Sequence, residues 1–247
     1  MQRREFLQGL GATGLGCWGL GHLSAEAEQP KAKAPSIDIE QYRADAVKRW
    51  ENDIAKLEEK DKTEKHPDSS VLFVGSSSIR RWDNIATDMA PYHAIERGYG
   101  GAKWSDVAIF AERLITPHQF QAAVFFVGND ISGKESDKTP QQVVALFANV
   151  LATLRKHNPT APVFYIAVTP TEARFEVWPK IKAANTAVSQ FCAKTKDAYF
   201  IGTESVYFDA NDKPRADLFV DDKLHLNQGG YDRWGAVIKS HLDTVLD

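Results

Sequence analysis

The chain has 247 residues, of which 43% are hydrophobic and 26% are charged, and its formal net charge at pH 7 is −3. This composition is typical of a soluble globular protein, and the length allows one large domain or two small ones. Because the net charge is slightly negative and the basic residues are scattered, the sequence argues against a protein that binds nucleic acid.

The N-terminal segment has the features of an export signal. Arg3 and Arg4 form a basic pair, a glycine-rich apolar run follows them, and Ala25 and Ala27 supply the small residues of a cleavage site. The pattern is typical of the twin-arginine pathway, which predicts a periplasmic or secreted protein. The apolar run is shorter than the ~20 residues that a membrane-spanning helix needs. We therefore expect a signal peptide over residues 1–27 and no membrane association of the mature form.

A linker and a single domain are predicted to follow the signal. Residues 28–37 are rich in Pro, Lys and Ala, as linkers are, and residues 38–247 are predicted to form one domain. Cys17, within the signal, is out of register with the usual lipoprotein motif. Cys192 is the only cysteine of the predicted mature chain, so no internal disulfide is expected. Its position beside Phe191 in a helical pattern is typical of a buried structural thiol.

The domain is predicted to begin with a helix and then to alternate between strands and helices. Over residues 39–60, apolar residues recur every three or four positions, which places them on one helix face. Short apolar runs predict strands at 71–74, 93–96, 122–127, 162–168 and 198–201, and helical spacing predicts helices at 104–114, 140–156, 178–195 and 229–246. This alternation predicts a doubly wound parallel sheet that is covered by helices on both faces.

The segments that follow the predicted strands carry chemically useful groups. Ligands of doubly wound domains bind beyond the carboxyl ends of the strands. Gly75-Ser76-Ser77-Ser78 follows the first strand, Gly98-Tyr99-Gly100-Gly101 the second, and Gly128-Asn129-Asp130 the third. Asp222-Lys223-Leu224-His225 precedes the closing helix, and an Asp three residues before a His can hold the imidazole in one tautomer. Together these segments offer a hydroxyl, backbone N–H groups, an amide and an acid–base pair, which acyl transfer uses.

Each segment also has a plain structural interpretation. The Gly/Ser segment would serve equally as a helix N-cap or as a phosphate-binding loop. The glycines after the second strand fit a loop with positive φ, and Asn129-Asp130 fits an Asx turn. The segment that contains His225 fits a solvated loop. Their joint occurrence at successive strand ends favours a functional interpretation.

Taken together, the four segments resemble the four sequence blocks of the SGNH (GDSL) hydrolase family, in the order of that family. The resemblance covers nearly all of the chain after Ser70. It implies a three-layer α/β/α sandwich with a central parallel, flavodoxin-like sheet, and hydrolysis of esters through an acyl-enzyme. The sequence has no metal-binding spacing such as His-Glu-x-x-His, and neither a metal nor another cofactor is expected. The chain departs from the family at Ser76, where the Gly-Asp-Ser motif has an aspartate.

The resemblance assigns a role to each matching residue. Ser77 would be the nucleophile, His225 the general base that activates it, and Asp222 the carboxylate that orients the imidazole. The backbone N–H groups of Ser77 and Gly101, with the side chain of Asn129, would form the oxyanion hole.

The substrate is predicted only in outline. Four residues near the expected cleft are candidates for substrate binding: Trp82, Tyr99, Arg174 and Trp178. Exposed aromatic rings there would stack on sugars, which together with export suggests an O-acetyl ester of a carbohydrate; core packing is the alternative for Trp82. Two other functions stay open at this point. One is a lysophospholipase or broad acylesterase, and the other is a catalytically silent protein that binds a glycan or a phosphate in the same cleft.

Overall fold

The computed structural model describes residues 36–246, so the predicted signal peptide and most of the predicted linker lie outside the described residues. A one-turn 3₁₀ helix at Glu40–Tyr42 leads into helix α1, Arg43–Thr63. The remaining elements, in chain order, are β1 Val71–Gly75, α2 Ser77–Arg80, α3 Ile85–Asp88, β2 Ala94–Gly98, α4 Trp104–Ile115, β3 Ala122–Phe126, α5 Pro140–His157, β4 Val163–Ile166, α6 Trp178–Cys192, β5 Ala198–Ile201, α7 Glu204–Tyr207 and α8 Gln228–Leu246. Two further 3₁₀ segments, Glu172–Val177 and Ala216–Leu218, lie in the connections.

The five strands form one parallel sheet in the order β2-β1-β3-β4-β5. This is the flavodoxin-like, doubly wound order, in which the strand order reverses between β1 and β3. Helices pack on both faces, which confirms the predicted three-layer α/β/α sandwich. The carboxyl ends of β1 and its two neighbours therefore meet at one edge of the sheet, where the loops that follow them come together.

Alternate side chains of the strands supply the two halves of the core. On β1, Leu72 and Val74 point toward α1, α4, α5 and α6, whereas Val71 and Phe73 point toward α2, α3 and α8. Alternation of this kind follows from the two-residue repeat of a strand. Both sets are fully buried, so these strands read as continuous apolar runs in the sequence.

The first helix buries one apolar face, as its periodicity predicts, in the core cluster that it shares with α4. Ala46, Ile54 and Leu57 on its apolar face are buried. On its polar face, Glu51 and Glu58 both accept hydrogen bonds from Arg113 of α4, at N–O distances of 2.7–2.9 Å. Paired carboxylates hold the pKa of Arg113 above its ordinary value. The helix is thus fixed both by burial and by an ion-pair network.

Two of the predicted strands end at a point that differs from the structure by two residues. The second strand extends to Gly98, because Arg97 and Gly98 still pair with Val74 and Gly75 of β1. The fourth strand ends at Ile166, although its apolar run continues to Val168. Over residues 36–246, no helix is long and apolar enough to cross a membrane.

Candidate active site

Ser77 lies at the turn between β1 and α2. Ser76 has an extended backbone, and its carbonyl accepts hydrogen bonds from the N–H groups of Ile79 and Arg80, which begins the short helix. The N–H of Ser76 donates to Phe126 O at 3.0 Å and so continues the pairing with β3. Ser77 is therefore the first residue beyond the sheet, at the strand end where doubly wound proteins bind ligands.

A close approach between β2 and α2 fixes the position of this turn. A Cβ atom at Gly98 would lie 2.3 Å from the backbone N of Arg80 and 2.8 Å from Cβ of Ile79. Any side chain at this position would push α2, and with it Ser77, away from the sheet. This explains the first glycine of the segment that follows the second strand.

The three residues predicted to form a catalytic triad are joined by hydrogen bonds. Ser77 Oγ lies 2.9 Å from His225 Nε2, and His225 Nδ1 lies 2.6 Å from Asp222 Oδ2. Ser77 and His225 are 148 positions apart in the chain, and the fold brings them together at one sheet edge. The arrangement has a hydroxyl, an imidazole and a carboxylate in the order that serine esterases use.

The carboxylate of Asp222 is held in place by its own turn. Asp222 Oδ1 accepts hydrogen bonds from the backbone N–H groups of Leu224 and His225, at 3.0 and 2.9 Å. Burial opposes the charged form, but the bonds from the backbone and the ring of His225 outweigh it and hold the pKa of Asp222 well below its ordinary value. Lys223, between them, has a φ of +57°, a left-handed conformation that tightens the turn. Asp222 is therefore ionised at neutral pH, and its carboxylate can accept a hydrogen bond from the ring of His225.

The hydrogen bond to His225 also distinguishes Ser77 from its neighbours. Ser76 is buried at the N-cap of α2, and the carbonyl of Ser78 accepts a hydrogen bond from Tyr231 at 2.8 Å. Within residues 36–246, Ser77 alone of the three has its hydroxyl against the imidazole of His225.

Of the groups predicted to form an oxyanion hole, Ser77 and Asn129 line the same cavity, and Gly101 lies near the amide of Asn129. Asn129 follows β3, and its Nδ2 lies 3.8 Å from the position that a Cβ at Gly101 would take. That Nδ2 also donates to Ala102 O at 3.1 Å. Among the described residues, neither the N–H of Ser77 nor that of Gly101 donates a hydrogen bond to a protein group. Both are free to bind an oxygen of a substrate.

Asp130 links the loop after β3 to the start of α4. Its carboxyl group accepts from the backbone N–H of Trp104 at 3.0 and 3.2 Å. Burial raises the pKa of Asp130 to about 7, although this hydrogen bond opposes the shift. The contact fixes Asn129 relative to the segment that contains Gly101, so the Asn-Asp pair acts as more than a local turn.

The cavity next to Ser77 is small, about 30 Å³. Ser77, His225, Asn129 and Arg174 are among the polar residues that line it. The rest of the wall is mostly apolar and includes Phe126, Val168, Phe219, Leu224, Leu226 and Trp234. Such a site combines polar groups that can contact a reacting ester with apolar surface that fits a short hydrocarbon group.

Of the four predicted substrate-binding residues, one lines the cavity and three do not. Arg174 lines the cavity. Trp82 and Tyr99 do not, which corrects the prediction: both are about 1% exposed and belong to the core. Trp82 stacks on Tyr231 and donates to Asp88, and Tyr99 packs edge-on against Trp50.

Trp178 is likewise directed into the protein. It packs with Ile181 and Phe208 at the start of α6, and it is absent from the cavity wall. None of these three aromatic rings is available for stacking on a sugar. Aromatic side chains occur both in protein cores and in binding clefts, and the sequence positions of these three residues did not show which of the two applied.

Comparison with known protein families identifies the chain. The model of the GDSL-like lipase/acylhydrolase family matches residues 68–233. The chain belongs to the GDSL-like lipase/acylhydrolase family. It is therefore a GDSL-type hydrolase that acts on ester bonds, as the four sequence blocks predict.

Solved structures of other proteins share the fold of this GDSL-like hydrolase. A candidate platelet activating factor from Streptococcus pneumonia has a TM-score of 0.70 at 15% identity, over 83% of this chain and 97% of its own. A GDSL-like lipase from Bacteroides thetaiotaomicron has a TM-score of 0.63 at 19% identity, over 77% and 97%. A carbohydrate esterase of family 3 from Talaromyces cellulolyticus has a TM-score of 0.56 at 18% identity, over 72% and 97%. No curated protein matches in sequence.

Several residues of this GDSL-like hydrolase site escaped the sequence analysis. Thr169 and Thr171 line the cavity and lie in the loop that follows β4, of which the sequence analysis singled out only Arg174. Examining that strand end as well would have found them. Trp234 of α8 also lines the cavity, but its position in an amphipathic helix gives no signal of this. Within residues 36–246, no group of three His, Cys, Asp or Glu side chains is placed to hold a metal ion.

Proposed function

We propose that this protein is an exported serine esterase that removes short acyl groups, with an O-acetylated carbohydrate as its substrate. The observation that carries the proposal is the chain of hydrogen bonds from Ser77 Oγ through the imidazole of His225 to Asp222, at 2.9 and 2.6 Å. A protein that only binds a glycan or a phosphate has no need of this chain.

In the first half of the proposed reaction, His225 Nε2 takes the proton of Ser77 as Oγ attacks the acyl carbon. Asp222 accepts the Nδ1–H bond, which selects the tautomer whose Nε2 is free and stabilises the imidazolium. The ester C–O bond then breaks, and the leaving alcohol takes the proton from His225. The acyl group is left on Ser77.

In the second half, water replaces the alcohol. His225 takes a proton from the water as it attacks the acyl carbon, and Ser77 Oγ leaves with the proton that His225 returns. In both halves the negative charge develops on the former carbonyl oxygen. The N–H groups of Ser77 and Gly101 and the Nδ2 of Asn129 would bind that oxygen, and loss of one such donor costs about 10²–10³ in turnover.

The size of the cavity supports a short acyl group. A volume of about 30 Å³ has room for roughly two water-sized groups, which suits an acetyl group. A long acyl chain would have to leave the cavity, which disfavours a lysophospholipase. The carbohydrate esterase from Talaromyces cellulolyticus has a similar fold, so a sugar ester is compatible with the fold of this protein.

The export part of the proposal rests on residues 1–27. Replacement of Arg3 and Arg4 by lysine should retain the precursor in the cytoplasm, because the paired arginines are what the twin-arginine pathway recognises. Cell fractionation with an antibody to the protein measures this, and unchanged export of the lysine variant would exclude this route.

The serine mechanism is tested with a fluorophosphonate probe, which labels activated serines. Wild-type protein should be labelled and should release acetate from acetylated sugars, and Ser77→Ala should do neither. Ser76→Ala and Ser78→Ala are the matched controls and should retain labelling. If the wild-type protein is never labelled and Ser77→Ala is indistinguishable from it, the silent binding protein becomes the better interpretation.

A further inference from the structure

We infer that Arg174 is a positioning residue that holds the side-chain amide of Asn129 in the orientation needed to stabilise the oxyanion. The inference rests on the proposed function, in which Asn129 supplies one of three donors. It gives Arg174 a role different from the substrate contact predicted for it above.

The guanidinium of Arg174 contacts two consecutive residues at the end of β3. One terminal nitrogen donates to Asn129 Oδ1 at 2.7 Å, and the other donates to the backbone carbonyl of Gly128. Because a guanidinium is planar and rigid, two bonds from its two ends fix the amide relative to the backbone that carries it. A single flexible ammonium group would not do this.

The contact determines which atom of the Asn129 amide faces the reacting oxygen. With Oδ1 held by Arg174, Nδ2 lies on the opposite side, where it donates to Ala102 O and lies near Gly101. A flipped amide would bring the NH₂ group against the NH₂ group of Arg174, donor against donor. It would also direct an amide oxygen toward the developing negative charge. Arg174 therefore disfavours the orientation that would repel the oxyanion.

The charge of Arg174 adds to this geometric effect. The side chain is partly buried, and burial lowers its pKa, but an arginine keeps its proton in proteins. Its donation to Oδ1 draws electron density from the amide and makes the Nδ2–H group a better donor. The loop that carries Arg174 also departs from helical geometry at this residue, with φ −125° and ψ 16° inside the 3₁₀ segment.

A double-mutant cycle tests the inference, with p-nitrophenyl acetate as substrate. Asn129→Ala should lower kcat by about 10²–10³. Arg174→Ala should lower kcat by about 10–100-fold and change KM by less than about threefold, because it acts on a donor that matters in the transition state. If Arg174 acts through Asn129, the double variant should be no slower than Asn129→Ala alone.

Two further variants separate positioning from folding. Arg174→Lys keeps the charge but not the two-ended contact, so it should restore little of kcat. Arg155→Ala is the matched control, because Arg155 is another partly buried arginine that donates to backbone carbonyls, those of Ala161 and Asp197. It should change stability but leave kcat of the folded protein unaltered.

Three results would overturn the inference. They are an Arg174→Ala variant that raises KM alone, a kcat loss that persists in full on the Asn129→Ala background, and an Asn129→Ala variant with unchanged kcat. Failure of the serine mechanism is distinguishable from all three, since it shows as activity that survives Ser77→Ala.

Discussion

Val168 lines both the cavity beside Ser77 and a second, neighbouring cavity, and its replacement by alanine should lengthen the acyl group that the enzyme accepts. The second cavity, of about 10 Å³, is lined mainly by apolar residues, among them Trp104, Ile131 and Ile181. Gly128 and Val168 line both cavities. Since Gly128 has no side chain, Val168 is the residue with a side chain that both cavities share.

The effect can be sized from burial. The backbone N–H and C=O of Val168 are both hydrogen-bonded to the side chain of Asn185, at 3.0 Å each, so alanine should leave the backbone in place. Each methylene that enters an apolar site gains about 0.8 kcal/mol. A butyryl group has two more methylenes than acetyl, which gives about 1.6 kcal/mol. Val168→Ala should therefore raise the ratio of kcat/KM for butyrate over acetate about tenfold.

The assay compares p-nitrophenyl acetate, propionate, butyrate and hexanoate. Val177→Ala is the matched control, because Val177 packs in the same apolar cluster as Val168 but lines neither cavity. It should leave the chain-length profile unchanged. If Val168→Ala lowered activity on all four esters equally, or if the control shifted the profile as much, the side chain of Val168 would not be what limits acyl length.

Three other predictions concern the triad, the turn beneath it and the response to acid. Asp222→Asn should lower kcat by up to about 10⁴ while leaving the melting temperature nearly unchanged, since the imidazole would be held in the wrong tautomer. Gly98→Ala should reduce both thermal stability and kcat, because its Cβ would meet the backbone of Arg80; Gly202→Ala, which meets no atom within 4 Å, is the control. Burial lowers the pKa of His118 from 6.5 to about 4. As the pH falls from 6.5 to 4, the unfolded chain therefore binds a proton that the folded protein does not, and the free energy of unfolding decreases. Urea unfolding should show that His118→Gln loses up to about 3 kcal/mol less stability over that range.

Much of the fold could be predicted from the sequence because buried helix faces and strands require apolar residues at regular spacing. The strands are buried on both faces and read as apolar runs, and α1 shows its buried residues at helical spacing. The boundaries were less certain. Val168 belongs to an apolar run by composition, yet it ends outside β4 because its backbone bonds to Asn185 and not to a neighbouring strand.

The site divides in the same way. Asp222 and His225 are three residues apart, so one turn determines their geometry, and backbone N–H groups inside that turn hold the carboxylate. The sequence alone is enough to pair them. Likewise, Ser77, Gly101 and Asn129 follow strands that parallel pairing places side by side, so their proximity follows once the strand order is assumed.

The roles of the large side chains were decided by the tertiary structure. The sequence places three aromatic residues close to the segments that form the cleft, but all three are buried in the core: Trp82, Tyr99 and Trp178. Trp234 of the last helix, in contrast, lines the cavity. Which way a ring points depends on the helices and strands packed against it, and these come from distant parts of the chain. The pairing of Arg174 with Asn129 spans 45 positions for the same reason. By itself the sequence determined the layered fold and the chemistry of the reacting groups, because both are carried by local patterns. The shape of the cavity and the partners of its polar groups were decided only when the layers packed together.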